Sequence, residues 1–214
     1  MNELISVIMP IKNGEKYLKE AIEGIQKQQM DVEIIVVDDG STDNTAKIAK
    51  DMGCVVINHE KSMGPVVAKN TGLKQARGEY ILFHDGDDIM NDGVLKILYE
   101  KLEKDQAIGA VMAKVKDFSD RQPVKPEAYY GLFTGAVLIR RQVFDEIGLF
   151  SENIRAGEIM EWENKMHQHH LSIEKMDIIA TRRRIHDHIF GKTNRTTEFK
   201  DYAQILRARL KKTS

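Results

Sequence analysis

Cysteine is nearly absent: Cys54, in the stretch CVVIN, is the only one in 214 residues. No internal disulfide can form, which fits a reducing, cytoplasmic setting and reads Cys54 as a buried thiol without a chemical role. Long apolar runs are also missing, none approaching the ~20 residues that cross a bilayer. The start, MNELISVIMP, has no basic stretch ahead of its apolar one, so no secretory signal is expected. Net charge is −1, which gives the chain as a whole no pull toward nucleic acid. What is present is ordinary for a globular protein with a sizeable core: 42% hydrophobic and 30% charged residues. The length suits one domain with a small appendage at one end.

Five short apolar runs read as strands: Ile5–Pro10, Val32–Val37, Cys54–Asn58, Tyr80–His84 and Ile108–Lys114. They are continuous rather than alternating, which predicts a sheet covered on both faces. Helical patterns fall between them, at roughly 15–29, 43–52, 65–77 and 92–104. Tyr17, Leu18, Ala21, Ile22 and Ile25 would form one buried helix face. Strand and helix alternating imply an α/β fold with a mostly parallel central sheet and helices on both faces.

Ligands of such sheets bind beyond the carboxyl ends of the strands. There the sequence places PIKNGEKY, DDGSTDN and DGDD, bringing Asp38, Asp39, Asp85, Asp87 and Asp88 to one crevice. Ser41, Thr42 and Asp43 suit a helix N-cap, but capping does not account for two aspartates directly after an apolar strand. Clustered carboxylates repel one another and are costly to desolvate, and a hard cation such as Mn²⁺ or Mg²⁺ removes both penalties. Such ions are held by one or two carboxylates plus substrate phosphates, which suits a reaction expelling a diphosphate. An EF-hand counted from Asp85 fails, because Met90 and Lys96 stand where Gly and Glu are required. A phosphoaspartate-forming hydrolase is a weaker rival; its Asp-x-Asp usually follows the first strand.

Three blocks in order, SVIMPIKNGEKYLKEAIEGI, EIIVVDDGSTDNTAKIAK and AKNTGLKQARGEYILFHDGDD, resemble those of family 2 glycosyltransferases. The likeness continues more loosely through FTGAVLIRRQVFDEIGLFSENI and fades beyond Arg184. It implies the GT-A fold and transfer of a sugar from a nucleotide-diphosphate donor, a UDP-sugar first, with inversion in one displacement. By resemblance, Pro10 and the loop to Asn13 line the nucleotide pocket, one of Asp38 and Asp39 contacts the base, and Gly40 turns the backbone away. Lys69 stands where the family commonly has Arg and would neutralise phosphate. Asp85 and Asp87 match the Asp-x-Asp motif, with Asp87 the expected direct metal ligand and Asp85 or Asp88 assisting. Gly86 would allow close approach of the donor.

The family's general base, an Asp in a Glu-Asp pair, is missing from RAGEIMEWENKMHQHH. Aligned on Gly157, Glu158 matches the Glu and Ile159 replaces the Asp; shifted by two, Glu161 takes the base position. Glu161 is preferred here, because Glu158 and Glu161 are spaced to share one helix face. A solvated acidic helix start is the plainer alternative. Arg184 is a candidate for the diphosphate and His186 for the metal shell or phosphate, against a basic edge strand with neither role. His167, His169 and His170 read as a solvated helix end, and Trp162 as packing. From Arg182 onward there are ten Lys and Arg against three acids. The expected organisation is one domain: residues 1–115 for nucleotide and metal, 116–196 for the acceptor, and a basic helix at 197–214. That helix has three open roles: a solvated element, contact with the inner face of a membrane bearing a lipid-linked acceptor, or a homodimer arm. A glycan, a lipid-linked molecule or a protein are all open as acceptors.

Overall fold

The computed structural model describes residues 4–130, 134–153 and 158–186. The expected basic helix at 197–214 and the alignment point Gly157 lie outside the described residues. In chain order the elements are β1 (Ile5–Ile11), α1 (Leu18–Gln26), β2 (Val32–Asp38), α2 (Thr45–Asp51), β3 (Val55–Asn58), α3 (Pro65–Gln75) and β4 (Tyr80–Phe83). There follow β5 (Ile89–Met90), α4 (Val94–Lys104), β6 (Ile108–Phe118), a 3-10 turn (Thr134–Ala136), β7 (Val137–Arg140), α5 (Arg141–Ile147), α6 (Glu158–Gln168) and β8 (Ser172–Arg184).

One eight-stranded sheet runs β3-β2-β1-β4-β7-β6-β8-β5. Its first four strands are parallel. β7 then runs antiparallel to both β4 and β6, and β5 antiparallel to β8, while β6 and β8 are parallel. The sheet is therefore mixed, with its parallel half built from the strands legible in the sequence.

Alternation along the strands explains the continuous apolar runs. In β1, Ile5, Val7 and Met9 pack on one face with Leu18, Ile22 and Ile25 of α1, Ala49 of α2, and Leu95, Leu98 and Leu102 of α4. Ile8 faces the other side, with Val66 and Leu73 of α3, Phe144 of α5, and Ile159, Trp162 and Met166 of α6. Each fully buried side chain of this kind contributes roughly 1.5–3 kcal/mol through removal from water. Tyr17, expected on the buried face of α1, is only half-buried and lies just before that helix.

After β3 the chain returns to the far side of β1 to form β4, so the β1–β4 junction is the point where strand order reverses. The loops after β1, β2 and β4 open there, the usual ligand crevice of such sheets. Among the described residues, no helix is long and apolar enough to cross a membrane.

Candidate active site

The first wall of the crevice is the loop after β2, stitched to the loop after β1. Asn13, at φ 53°, donates its N–H to Ser41 Oγ at 2.8 Å, and its Oδ1 accepts from Thr42 N–H at 2.9 Å. Gly14 N–H donates to Thr45 Oγ1 at 2.8 Å. The two neighbouring aspartates divide their work. Asp39 Oδ1 meets His59 Nδ1 and accepts from Met63 N–H, both at 2.8 Å. Its Oδ2 accepts from Ser62 Oγ at 2.7 Å and Gly64 N–H at 2.9 Å. Burial alone would raise the Asp39 pKa, yet these bonds outweigh it and hold the group below the ordinary carboxylate range. A carboxylate has about four lone-pair sites, so Asp39 is saturated by the segment 59–64. The carboxylate of Asp38, also buried, accepts only from Ser41 N–H, at 2.8 Å, among the described residues. Gly40 between this pair and the turn sits at φ +74°, and a Cβ there would lie 2.8 Å from Ser62 N. Only glycine fits such a left-handed turn against backbone.

The second wall is the DGDD loop after β4. Gly86 packs against the Ile11 side chain, whose Cδ1 a Cβ there would meet at 2.4 Å and have to displace. Burial, with repulsion from Asp87 and Glu158, raises the Asp85 pKa against the pull of Lys69. Burial and the charges of Asp87 and Asp85 push Asp88 well above the ordinary range, although Arg184 N–H donates to its Oδ1 at 2.9 Å. Asp87 is more open and meets His186 Nε2 through Oδ2 at 2.9 Å. Behind them His84 is fully buried, and its pKa is pushed down to about 4 by that burial.

Among the described residues, no three His, Cys, Asp or Glu side chains form a group able to hold a metal alone. The set still fits Mn²⁺ or Mg²⁺, which take one or two protein ligands and complete their shells with phosphate and water. Raised carboxylate pKa values are what such a site shows until a cation offsets the repulsion.

β8 supplies the positive charge. Arg184, expected at the diphosphate, is already engaged: its guanidinium donates to Asp87 O at 3.0 Å, pairs with Glu20, and lies 4.6 Å from the Tyr17 and Phe118 ring centroids. It pins the DGDD loop to α1 and β8. Arg183, passed over in the sequence, is the cation whose charge reaches both Asp85 and Asp88.

The third wall joins α3 to the start of α6. Lys69, only 5% exposed, donates directly to Glu158 Oε1. Burial would lower the Lys69 pKa, but Glu158 and Asp85 overcome this and raise it. Glu161 points elsewhere: it accepts from Ser151 N–H at 3.3 Å and pairs with Lys165 at 3.5 Å. Ile159 is wholly buried, and Trp162 stacks on Phe144 at 6.2 Å, in the packing role expected of it. Asn70 ties the wall together, its Nδ2 donating to Phe150 O at 2.9 Å and its Oδ1 accepting from Phe150 N–H at 3.1 Å. The one signal for Asn70 was its place in AKN, beside Lys69. His167, His169 and His170 are exposed.

Residues 6–190 match the family described as Glycosyl transferase family 2. The chain belongs to that family. It is 43% identical to Glycosyltransferase GlyG of Streptococcus pneumoniae over 113 residues, which is 50% of this chain and 38% of that protein. It is 31% identical over 186 residues to the uncharacterized glycosyltransferase EpsJ of Bacillus subtilis, covering 74% of this chain and 54% of EpsJ. The structure of S. aureus TarS 1-349 in complex with UDP-GlcNAc superposes with a TM-score of 0.74 at 25% identity, over 86% of this chain and 59% of that one. The fold is thus GT-A, and the chain spans about half the length of the curated relatives it matches. Ile159, which the alignment on Gly157 sets at the position of the family's Asp, is thus a core side chain.

Proposed function

We propose that the chain carries the donor-binding and catalytic site of a glycosyltransferase that moves a sugar from a nucleoside diphosphate, UDP foremost, to an acceptor hydroxyl with inversion. The observation that carries this reading is the crevice itself: Asp38 with an oxygen to spare, and Asp85, Asp87 and Asp88 gathered where the strand order reverses. The glycosyltransferase relatives support the activity, and the UDP-GlcNAc bound in TarS supports the donor class.

In this reading the free oxygen of Asp38 accepts the imide N–H of the base, while Asp39 holds the loop. Asp87 and His186 would hold Mn²⁺ or Mg²⁺, with Asp85 and Asp88 contributing charge. Once bound, the cation stabilises the negative charge left on the departing diphosphate. Arg184 keeps the Asp87 backbone in place. Glu158, rather than Glu161, takes the acceptor proton as the hydroxyl oxygen attacks the sugar carbon opposite the diphosphate. Lys69 donates to that carboxylate and holds it at the crevice. Residues 1–115 form the donor half and 116–196 the acceptor half.

Calorimetric titration of UDP and of GDP, with Mn²⁺, Mg²⁺ or EDTA, on wild type and Asp87→Ala tests the donor site. Metal-dependent binding lost in the variant is expected; no binding under any condition would remove the reading. Burial of Ile159 favours one second reading, donor binding without transfer. Release of UDP from UDP-GlcNAc decides it: turnover by wild type that Glu158→Gln abolishes supports the transferase, and equal rates in both remove Glu158 as the base.

A further inference from the structure

We infer that Lys69 is a shared cation, for which the Glu158 carboxylate and the donor's diphosphate compete, so that diphosphate binding frees Glu158 to act as a base. The inference rests on the donor-site reading above and concerns how the two halves of that site communicate.

The contact spans 89 residues of sequence and joins the donor half to the acceptor half through one ammonium. Lys69 and Glu158 side chains are only 7% and 12% exposed, so the pair is shielded from solvent that would otherwise satisfy either group. An ammonium has three donors and no acceptor, and the charge of Asp85, in the donor-side motif, also acts on this one. Lys69 therefore stands between a carboxylate on the acceptor side and the place where a diphosphate would lie. Lysine is a point charge on a flexible stem, so movement of its ammonium toward one anion lengthens its contact with the other. The backbone around it is held: Asn70, the next residue, grips Phe150 from both sides and donates to Glu152 at 3.0 Å. The exchange is then a side-chain rotation, with α3 held to Phe150 and Glu152. A diphosphate carries more negative charge than a single carboxylate and wins the competition, and the vacated carboxylate can accept the acceptor proton.

The test is UDP affinity, with Mg²⁺, in wild type, Glu158→Gln, Lys69→Met and the double variant. Removing the competing charge in Glu158→Gln should tighten UDP binding by about tenfold, the usual scale of one hydrogen bond to a charged group. Lys69→Met should weaken it by a similar factor, and in the double variant the gain from Glu158→Gln should vanish. An unchanged affinity in Glu158→Gln overturns the inference. So does a gain that persists without Lys69, because it would then be general electrostatic relief. Wild type supplies an independent readout: the Nζ resonance of Lys69 in ¹⁵N-lysine-labelled protein, assigned with Lys69→Arg, should shift when UDP and Mg²⁺ are added. A resonance that stays in place while UDP binds overturns the inference alone. Failure of wild type to bind any nucleoside diphosphate overturns the donor-site reading and this inference with it.

Discussion

The division of labour between Asp38 and Asp39 can be tested by changing one atom in each. Asp39→Asn keeps the shape but turns one oxygen into an N–H donor. Whichever way the amide is placed, that donor faces two groups that donate to the carboxylate: His59 and Met63 N–H on one side, or Ser62 and Gly64 N–H on the other. His59 and the Ser62 hydroxyl can reorient to accept; a backbone N–H cannot. At least one backbone donor is left opposed and the remaining bonds lose their charge assistance. Hydrogen bonds to a charged group contribute about 1.5–3 kcal/mol each, so a loss of roughly 3 kcal/mol is expected. The side chain is 8% exposed, so water offers little relief. For a chain of this size that corresponds to a fall of roughly 6–12 °C in Tm, measured by thermal unfolding. The ionised form of Asp39 is the bonded one and its folded pKa lies below the ordinary 3.8. Its contribution is therefore complete above that value and lost as pH falls through the folded pKa, so the gap between wild type and variant should close on acidification. Asp38→Asn, which can keep its bond from Ser41 N–H, should cost under about 1 kcal/mol yet abolish most UDP binding. An Asp39→Asn protein melting within about 2 °C of wild type, or equal melting losses in both variants, would refute the assignment.

Three further outcomes follow from the geometry. Ile159→Asp, which puts an acid where the alignment on Gly157 sets the family's Asp, should not restore a base; it places a charge among the core residues around Phe144 and should cost about 3–5 kcal/mol, and a variant with wild-type melting and faster UDP release would contradict this. Gly40→Ala meets both a positive φ and the Ser62 backbone, so it should lower Tm by several degrees and weaken UDP binding, read by the same two assays. Cys54 is half-buried and its thiol is pushed up to about 11 by desolvation, so alkylation by iodoacetamide near pH 8 should be slow in the folded protein and rise sharply on denaturation.

The local alternation of apolar runs and helical patterns was sufficient to define β1 to β4 and the four helices around them. Each of those elements is specified by residues within one short window, and the acids that follow them lie at strand ends by adjacency alone. Their convergence followed from parallel strands sharing one carboxyl edge. The antiparallel insertion of β7 between β4 and β6 was not legible, because four buried residues, Val137–Arg140, pair with strands 56–60 and 25–29 positions away and carry no sign of direction. The same holds for charge. Spacing placed Glu158 and Glu161 on one helix face, but helix periodicity fixes only angle about an axis. Partners decide where a carboxylate points, and those were Lys69 for Glu158 and Ser151 with Lys165 for Glu161. Sequence also offered Asp38 and Asp39 as equals and Arg184 as a free fork. Only the tertiary structure assigned Asp39 to the segment 59–64 and Arg184 to Glu20, Asp87 and two rings. What the sequence determined by itself was the order of elements and the kind of chemistry at the strand ends, since both are local. Which side chains remain free for a ligand was decided by tertiary contacts, since a buried polar group takes whichever partner the fold brings within reach.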